Sequence, residues 1–194
     1  MFNLLLEKII QFDTNLFFIL NVKAQNPVLD FLMPILTNLN YWRIPWAIMV
    51  ILLLIFGGKR GRIAVALLLV GITLSDQLCN SLIKPLVGRI RPCNALENVH
   101  LLINCTRSFS FPSSHATNMF TGMMILSFIY RKLRIAFWVI AVMVAYSRIY
   151  VGVHYPLDVL GGIILGIICA GIVIYLYILF SRRYPRINFK TDVF

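Results

Sequence analysis

Apolar runs that carry almost no charge constrain this chain more than any other feature. Five of them cover residues 44–56, 63–82, 116–130, 135–147 and 159–180, and the only formally charged residue within all five is Asp76. About 20 apolar residues in a helix cross the hydrocarbon core of a bilayer, and the helix satisfies its own backbone there. The 194 residues therefore allow five or six crossings with short loops. Residues 1–194 are expected to form one membrane-embedded domain, with no room for a separate soluble one. Of all residues 60% are hydrophobic and 13% charged, against about half and about a quarter in an ordinary soluble domain. That balance excludes a soluble enzyme, a disordered chain and a small disulfide-stapled domain. The predicted fold class is all-α: a polytopic membrane helix bundle of five to six transmembrane helices plus an N-terminal interfacial helix.

The first 40 residues are less regular. Residues 1–12 place apolar side chains on one face among Glu7, Lys8 and Gln11, and 28–39 is a short apolar run containing Asp30 and Pro34. They predict one or two interfacial helices, or a broken sixth span. Asp13 and Asn15 interrupt the first apolar stretch, and no charged start with a small-residue cleavage site marks a signal peptide.

Net charge is +11, from 18 Lys+Arg against 7 Asp+Glu. The cations cluster at the ends of apolar runs, so topology and anionic lipid explain them better than nucleic acid. Lys59, Arg60 and Arg62 join the first two runs; Arg131, Lys132 and Arg134 join the third and fourth; Arg182, Arg183, Arg186 and Lys190 follow the last. Alternation puts these three clusters on one side, the cytoplasmic side by the positive-inside rule. The opposite face still receives Lys84, Arg89, Arg91, Arg107 and Arg148, and anion binding explains that surplus.

Three segments fall on that outer face: 84–92, 112–115 and 147–158. In the second, one of Ser113 and Ser114, just before an apolar run, is suited to cap a helix whose free N–H groups and dipole attract an anion. His115 in the first turn could then pass a proton to a leaving oxygen, or be incidental to a plain helix start. In the third, Pro156 suits a first helical position. Asp158 could fix the tautomer of His154 and leave its other nitrogen as a nucleophile, or merely cap the helix. Lys84, Arg91 and Arg148 suit phosphoryl oxygens, although each alone could snorkel to lipid headgroups. Arg89 could touch substrate or a headgroup. Asp76 could position Lys84 or bond to Asn80, and the structural role is favoured. His100 has no ligand-spaced partner and is taken as a loop residue.

Together these segments resemble the three-part signature of the type-2 phosphatidic acid phosphatase superfamily, membrane lipid phosphatases related in fold to vanadium haloperoxidases. Lys84 with Arg91-Pro92 forms the first part, Pro112-Ser113-Ser114-His115 the second, and Ser147-Arg148, His154 and Asp158 the third. Ser114 stands where the family usually has Gly. The resemblance implies two-step hydrolysis with no metal or other cofactor. His154 would attack phosphorus, Asp158 would orient it, and His115 would protonate the leaving oxygen and then activate water. Lys84, Arg91, Arg148, Ser113 and the Ser114 N–H would hold the phosphoryl oxygens.

The implied partner is a membrane lipid phosphate within the bilayer, with no nucleic acid and no obligate protein. Undecaprenyl diphosphate and lipid A 1-phosphate rank level as substrates, ahead of phosphatidate and phosphatidylglycerophosphate. The expected location is the bacterial inner membrane with the site facing the periplasm. Rival readings are a non-hydrolytic lipid-phosphate transporter or scramblase, a lipid-to-lipid phosphotransferase, and a vanadate-dependent halide oxidase. Cys79 and Cys169 lie in apolar spans as packing residues. Cys93 and Cys105, 12 positions apart in the outer loop, are expected to form a disulfide in an oxidising compartment, the alternative being two free thiols.

Overall fold

Proline, glycine and asparagine punctuate the helices. The computed structural model describes residues 2–184, and all of its regular elements are helical. Helix α1 (Phe2–Phe18) runs on through a π-helical turn, Ile19–Lys23. Asn26 caps α2 (Pro27–Thr37), accepting from Leu29 N at 2.9 Å, with Pro27 opening the helix. At Asn38 the chain bends by 54° into α3 (Leu39–Ile55). Helix α4 (Gly58–Gln77) is prolonged by the π-helical segment Leu78–Ile83 and by the short α5 (Lys84–Val87); α6 (Pro92–Ala95) is one turn. Then follow α7 (Ser114–Ile129), α8 (Arg134–Tyr150) and α9 (Pro156–Arg183).

Three helical stretches are long and apolar enough to cross a membrane: Gly58–Ala95, Arg131–Tyr150 and Pro156–Arg183. They contain the expected runs 63–82, 135–147 and 159–180. The run 44–56 falls largely in α3, whose bent pairing with α2 could supply a fourth span. The run 116–130 falls in α7, which has 16 residues, short for a full crossing. Helix α7 is nevertheless the centre of the bundle, packed against α4, α8 and α9. It buries Ala116, Phe120, Met123, Ile125, Leu126 and Ile129, as expected of a helix that is apolar all round. Helix α1 does not lie apart as a surface helix. It exposes Leu5, Ile9 and Phe12 but buries Asp13 and Phe17 against the bundle.

Small residues bring α7 and α9 together. A Cβ added at Gly162 would lie 2.6 Å from the Ser113 carbonyl oxygen, and one at Gly166 would lie 2.5 Å from that of Thr117. Such spacing lets two backbones touch, as in close-packed membrane helices. The two helices run parallel, so their N-termini share one end of the bundle. The cation clusters occupy the other end: the Arg60 guanidinium lies 5.8 Å from the Tyr130 ring, joining the α3–α4 and α7–α8 junctions, and Arg182 and Arg183 close α9. Arg186 and Lys190 lie outside the described residues.

Candidate active site

The three outer segments converge where α4 and α8 end and α7 and α9 begin. His154 is presented by the turn between α8 and α9. Its N–H donates to the Arg148 carbonyl at 3.2 Å, and Gly152, at φ +84°, permits the reversal. The His154 side chain is 2% exposed. Arg91 Nη1 lies 3.0 Å from its Nε2. Arginine only donates, so Nε2 accepts and carries the lone pair. Nδ1 then carries the proton and faces Asp158 Oδ2 at 3.5 Å, without a hydrogen bond between them. Burial, then the charges of Arg148, Arg91 and Lys84, hold the His154 pKa well below the usual imidazole range. The ring is neutral at neutral pH.

Asp158 does both things that its position allows. Its Oδ2 accepts from Tyr155 N at 2.9 Å, capping α9, while the same carboxylate stands behind His154. Arg89 Nη1 donates to Asp158 Oδ1 at 2.7 Å, and its Nη2 donates to Asp13 Oδ2 at 2.6 Å. The guanidinium also sits 4.0 Å from the Tyr155 ring centroid. Asp13 Oδ1 accepts from Leu157 N at 2.9 Å. Both carboxylates are fully buried. Arg89 is therefore a clasp between two buried acids.

Three cations surround the imidazole. Lys84, Arg91 and Arg148 are 6–7% exposed. Arg91 is fixed by the Ser108 carbonyl, 2.9 Å from Nε, and the Val153 carbonyl, 3.1 Å from Nη1. Arg148 donates to Thr37 Oγ1, while its buried Nε has no partner. Ser113 stands at the N-cap of α7, but its hydroxyl makes no cap bond; the oxygen is buried and unpartnered, which departs from the expected side-chain cap. Its backbone N–H donates to the Asp158 carbonyl at 2.9 Å, tying the α7 start to α9. Ser114 Oγ donates to Asn80 Oδ1 at 2.7 Å, so the extra side chain is absorbed by the π-helical segment that prolongs α4. His115 Nε2 is buried without a partner. Orphaned buried polar atoms of this kind call for an explanation, and here four of them, on Ser113, His115, Arg148 and His154, belong to predicted site residues.

Other residues are anchored elsewhere. Asp76 Oδ1 accepts from Asn80 Nδ2 at 2.8 Å and Asn118 Nδ2 at 3.1 Å. His100 has a partner that sequence reasoning missed: Asp30 Oδ1, 2.9 Å from its Nε2, which also accepts from Tyr150 Oη at 2.6 Å. Cys93 and Cys105 are bonded, with Cα atoms 6.3 Å apart. Asp13, Asn21 and Thr37 were not singled out for the site, yet all three are buried beside it. Asn21 donates to the carbonyl of Tyr150 at 2.7 Å and to that of His100 at 2.9 Å. The usable signal was Asp13 itself, since an acid inside an apolar helix demands a partner. Among the described residues no three His, Cys, Asp or Glu side chains gather as metal ligands.

A buried neutral imidazole, a carboxylate behind it, a second histidine and three cations are equipped for nucleophilic phosphoryl transfer. Residues 64–182 match the PAP2 superfamily. The chain is 34% identical to a lipid A 4'-phosphatase of Bacteroides thetaiotaomicron, over 84% of this chain and 75% of that one. It is 35% identical to an undecaprenyl-diphosphatase of Sulfolobus acidocaldarius, over 82% and 76%. The crystal structure of Aquifex aeolicus LpxE superposes with a TM-score of 0.71 at 31% identity, covering 84% of this chain and 94% of that one.

Proposed function

The chain belongs to the PAP2 superfamily, and from that premise we propose that it is a multi-pass membrane hydrolase that releases phosphate from a lipid phosphate or diphosphate through a phosphohistidine, without a metal. His154 Nε2 attacks phosphorus as the bond to the lipid oxygen breaks, and His115 gives that oxygen a proton. The negative charge of the bound phosphate favours the protonated His115 needed for this step. His115 then takes a proton from water, whose oxygen attacks phosphorus and frees His154. Asp158 keeps the Nδ1 proton in place and balances the imidazolium. Lys84, Arg91, Arg148, the Ser113 hydroxyl and the Ser114 N–H stabilise the phosphoryl oxygens as charge shifts. Those three cations stand where a catalytic metal ion would be repelled.

The observation that carries this reading is the Arg91–His154 contact at 3.0 Å, which leaves the lone pair on the nitrogen that faces the cations. The relatives named lipid A 4'-phosphatase and undecaprenyl-diphosphatase support testing lipid A phosphates and undecaprenyl diphosphate first as substrates. Base-quenched turnover of a radiolabelled lipid phosphate should trap a phosphoenzyme that acid then hydrolyses, absent in His154→Ala. Activity should persist in EDTA and be blocked by vanadate, a mimic of the phosphoryl transition state. Near-normal release by His154→Ala, or loss in EDTA restored by one metal, overturns the mechanism. We place the site on the periplasmic side of the inner membrane, opposite the cation clusters. An impermeant thiol reagent should then label a cysteine at Asn98 but not at Arg60, in a background without the native cysteines; the reverse pattern inverts the topology.

A further inference from the structure

Beside His115 a cavity of about 430 Å³ opens between α2, α3, α4, α7 and α8. Its walls are apolar, with Trp42, Trp46 and Phe137 among them, but the end at His115 is polar: Asp76, Ser114 and Asn118 line it together. Among the described residues Asp76 is the only acid on that wall. Its Oδ1 is occupied by two amide donors, and no hydrogen bond reaches its Oδ2 among the described residues. An intramembrane carboxylate on the wall of a cavity that His115 also lines is a functional feature by default.

We propose that this polar wall receives the leaving group and selects a phosphomonoester on a donor-bearing headgroup, such as an amidated sugar, over a diphosphate. This rests on the phosphatase reading above. If His154 attacks from one side and His115 protonates the departing oxygen, whatever that oxygen carries enters the cavity at Asp76. In a diphosphate it carries a second phosphate, negative throughout the reaction, which Asp76 repels. A sugar hydroxyl or amide N–H instead donates to Asp76 Oδ2. A site that hydrogen-bonds its substrate rejects an analogue that leaves the partner unpaired.

The test is phosphate release by the full chain in detergent from a lipid A monophosphate and from undecaprenyl diphosphate. The wild-type protein should favour the glycolipid monoester in kcat/KM by about tenfold or more, the scale set by about 1.4 kcal/mol of differential stabilisation. Asp76→Asn, which removes the charge at constant shape, should shrink that ratio by about tenfold. The ratio of two substrates does not depend on how much of the variant folds, and the wild-type preference needs no variant. Equal or better turnover of the diphosphate by the wild type, or a ratio unmoved by Asp76→Asn, overturns the assignment of Asp76 and leaves the phosphatase reading standing. No release from either lipid, or from phosphatidate, overturns both.

Discussion

Alanine at Gly162 should separate the two halves of the site. Its Cβ would lie 2.6 Å from the Ser113 oxygen, 3.0 Å from Ala116 Cβ and 3.1 Å from Thr117 Oγ1. Relaxed carbon contacts lie near 3.5 Å or beyond, so α7 and α9 must part by about 0.5–1 Å. Because the first obstacle is a backbone oxygen, no flexible side chain can yield instead. Overpacking of this kind costs about 1–3 kcal/mol, and for a chain of this size melting should fall by about 2–4 °C per kcal/mol. Activity should suffer more. Ser113 N also donates to the Asp158 carbonyl at 2.9 Å, so the displacement falls between the α7 N-terminus and the His154–Asp158 pair. A misplacement near 1 Å can cost about 100-fold in rate. We expect a 10–100-fold loss of kcat/KM on the order of that effect, in a protein that still folds. The assay is phosphate release and thermal melting in detergent, with Gly171→Ala as the control. A Cβ at Gly171 meets nothing within 4 Å, so that change should keep activity and add about 0.5–1 kcal/mol of helix stability. Wild-type turnover and melting in Gly162→Ala would refute the argument.

Asp13→Ala leaves Arg89 with Asp158 as its one carboxylate partner and should destabilise by about 3 kcal/mol, the lower end for a broken buried pair, because Arg89 keeps 22% exposure; an unchanged melt would deny the clasp its structural role. Reducing Cys93–Cys105 should cost about 2–3 kcal/mol through the loop it closes, and mass spectrometry without reductant should find neither thiol alkylated. Stability should fall as pH drops below about 6.5, the ordinary imidazole value. The folded His154 resists a proton that the unfolded chain accepts, so the unfolded state binds more protons in that window. His154→Gln should flatten that slope in pH-dependent melts, and an identical slope would assign it to other groups.

Local features of the chain were legible and distant ones were not. Pro156 and the change to an apolar run at residue 116 mark helix starts without any knowledge of neighbours, so the positions of His115, His154 and Asp158 at helix ends could be read directly. The reading of a serine cap went astray by one contact: Ser113 occupies the N-cap position, but its hydroxyl is withheld from the helix. Arg89 could not be resolved because its two partners lie 76 residues before it and 69 after it, and nothing in a cation's neighbourhood in sequence names such partners. Asn21 and Thr37 were invisible for the same reason. The short, interrupted apolar runs before residue 40 carry too weak a period to say which face is buried. Span number was equally hard, since α7 earns its place by central packing and not by length.

The clasp of Asp13, Arg89 and Asp158 has a consequence for recombination. The shared family region begins at residue 64, yet the polar contacts that steady the catalytic end also come from residues 13, 21 and 37. A chimera that kept 64–182 and borrowed the preceding segment from a relative would leave Arg89 and Arg148 facing foreign side chains. Inheritance should therefore travel in blocks: a relative that replaces Asp13 should also have changed position 89, and one that replaces Thr37 should have changed whatever steadies Arg148. Exchange points that respect this linkage lie at the α3–α4 junction, where Gly57 and Gly58 join two helices at the end of the bundle remote from the site.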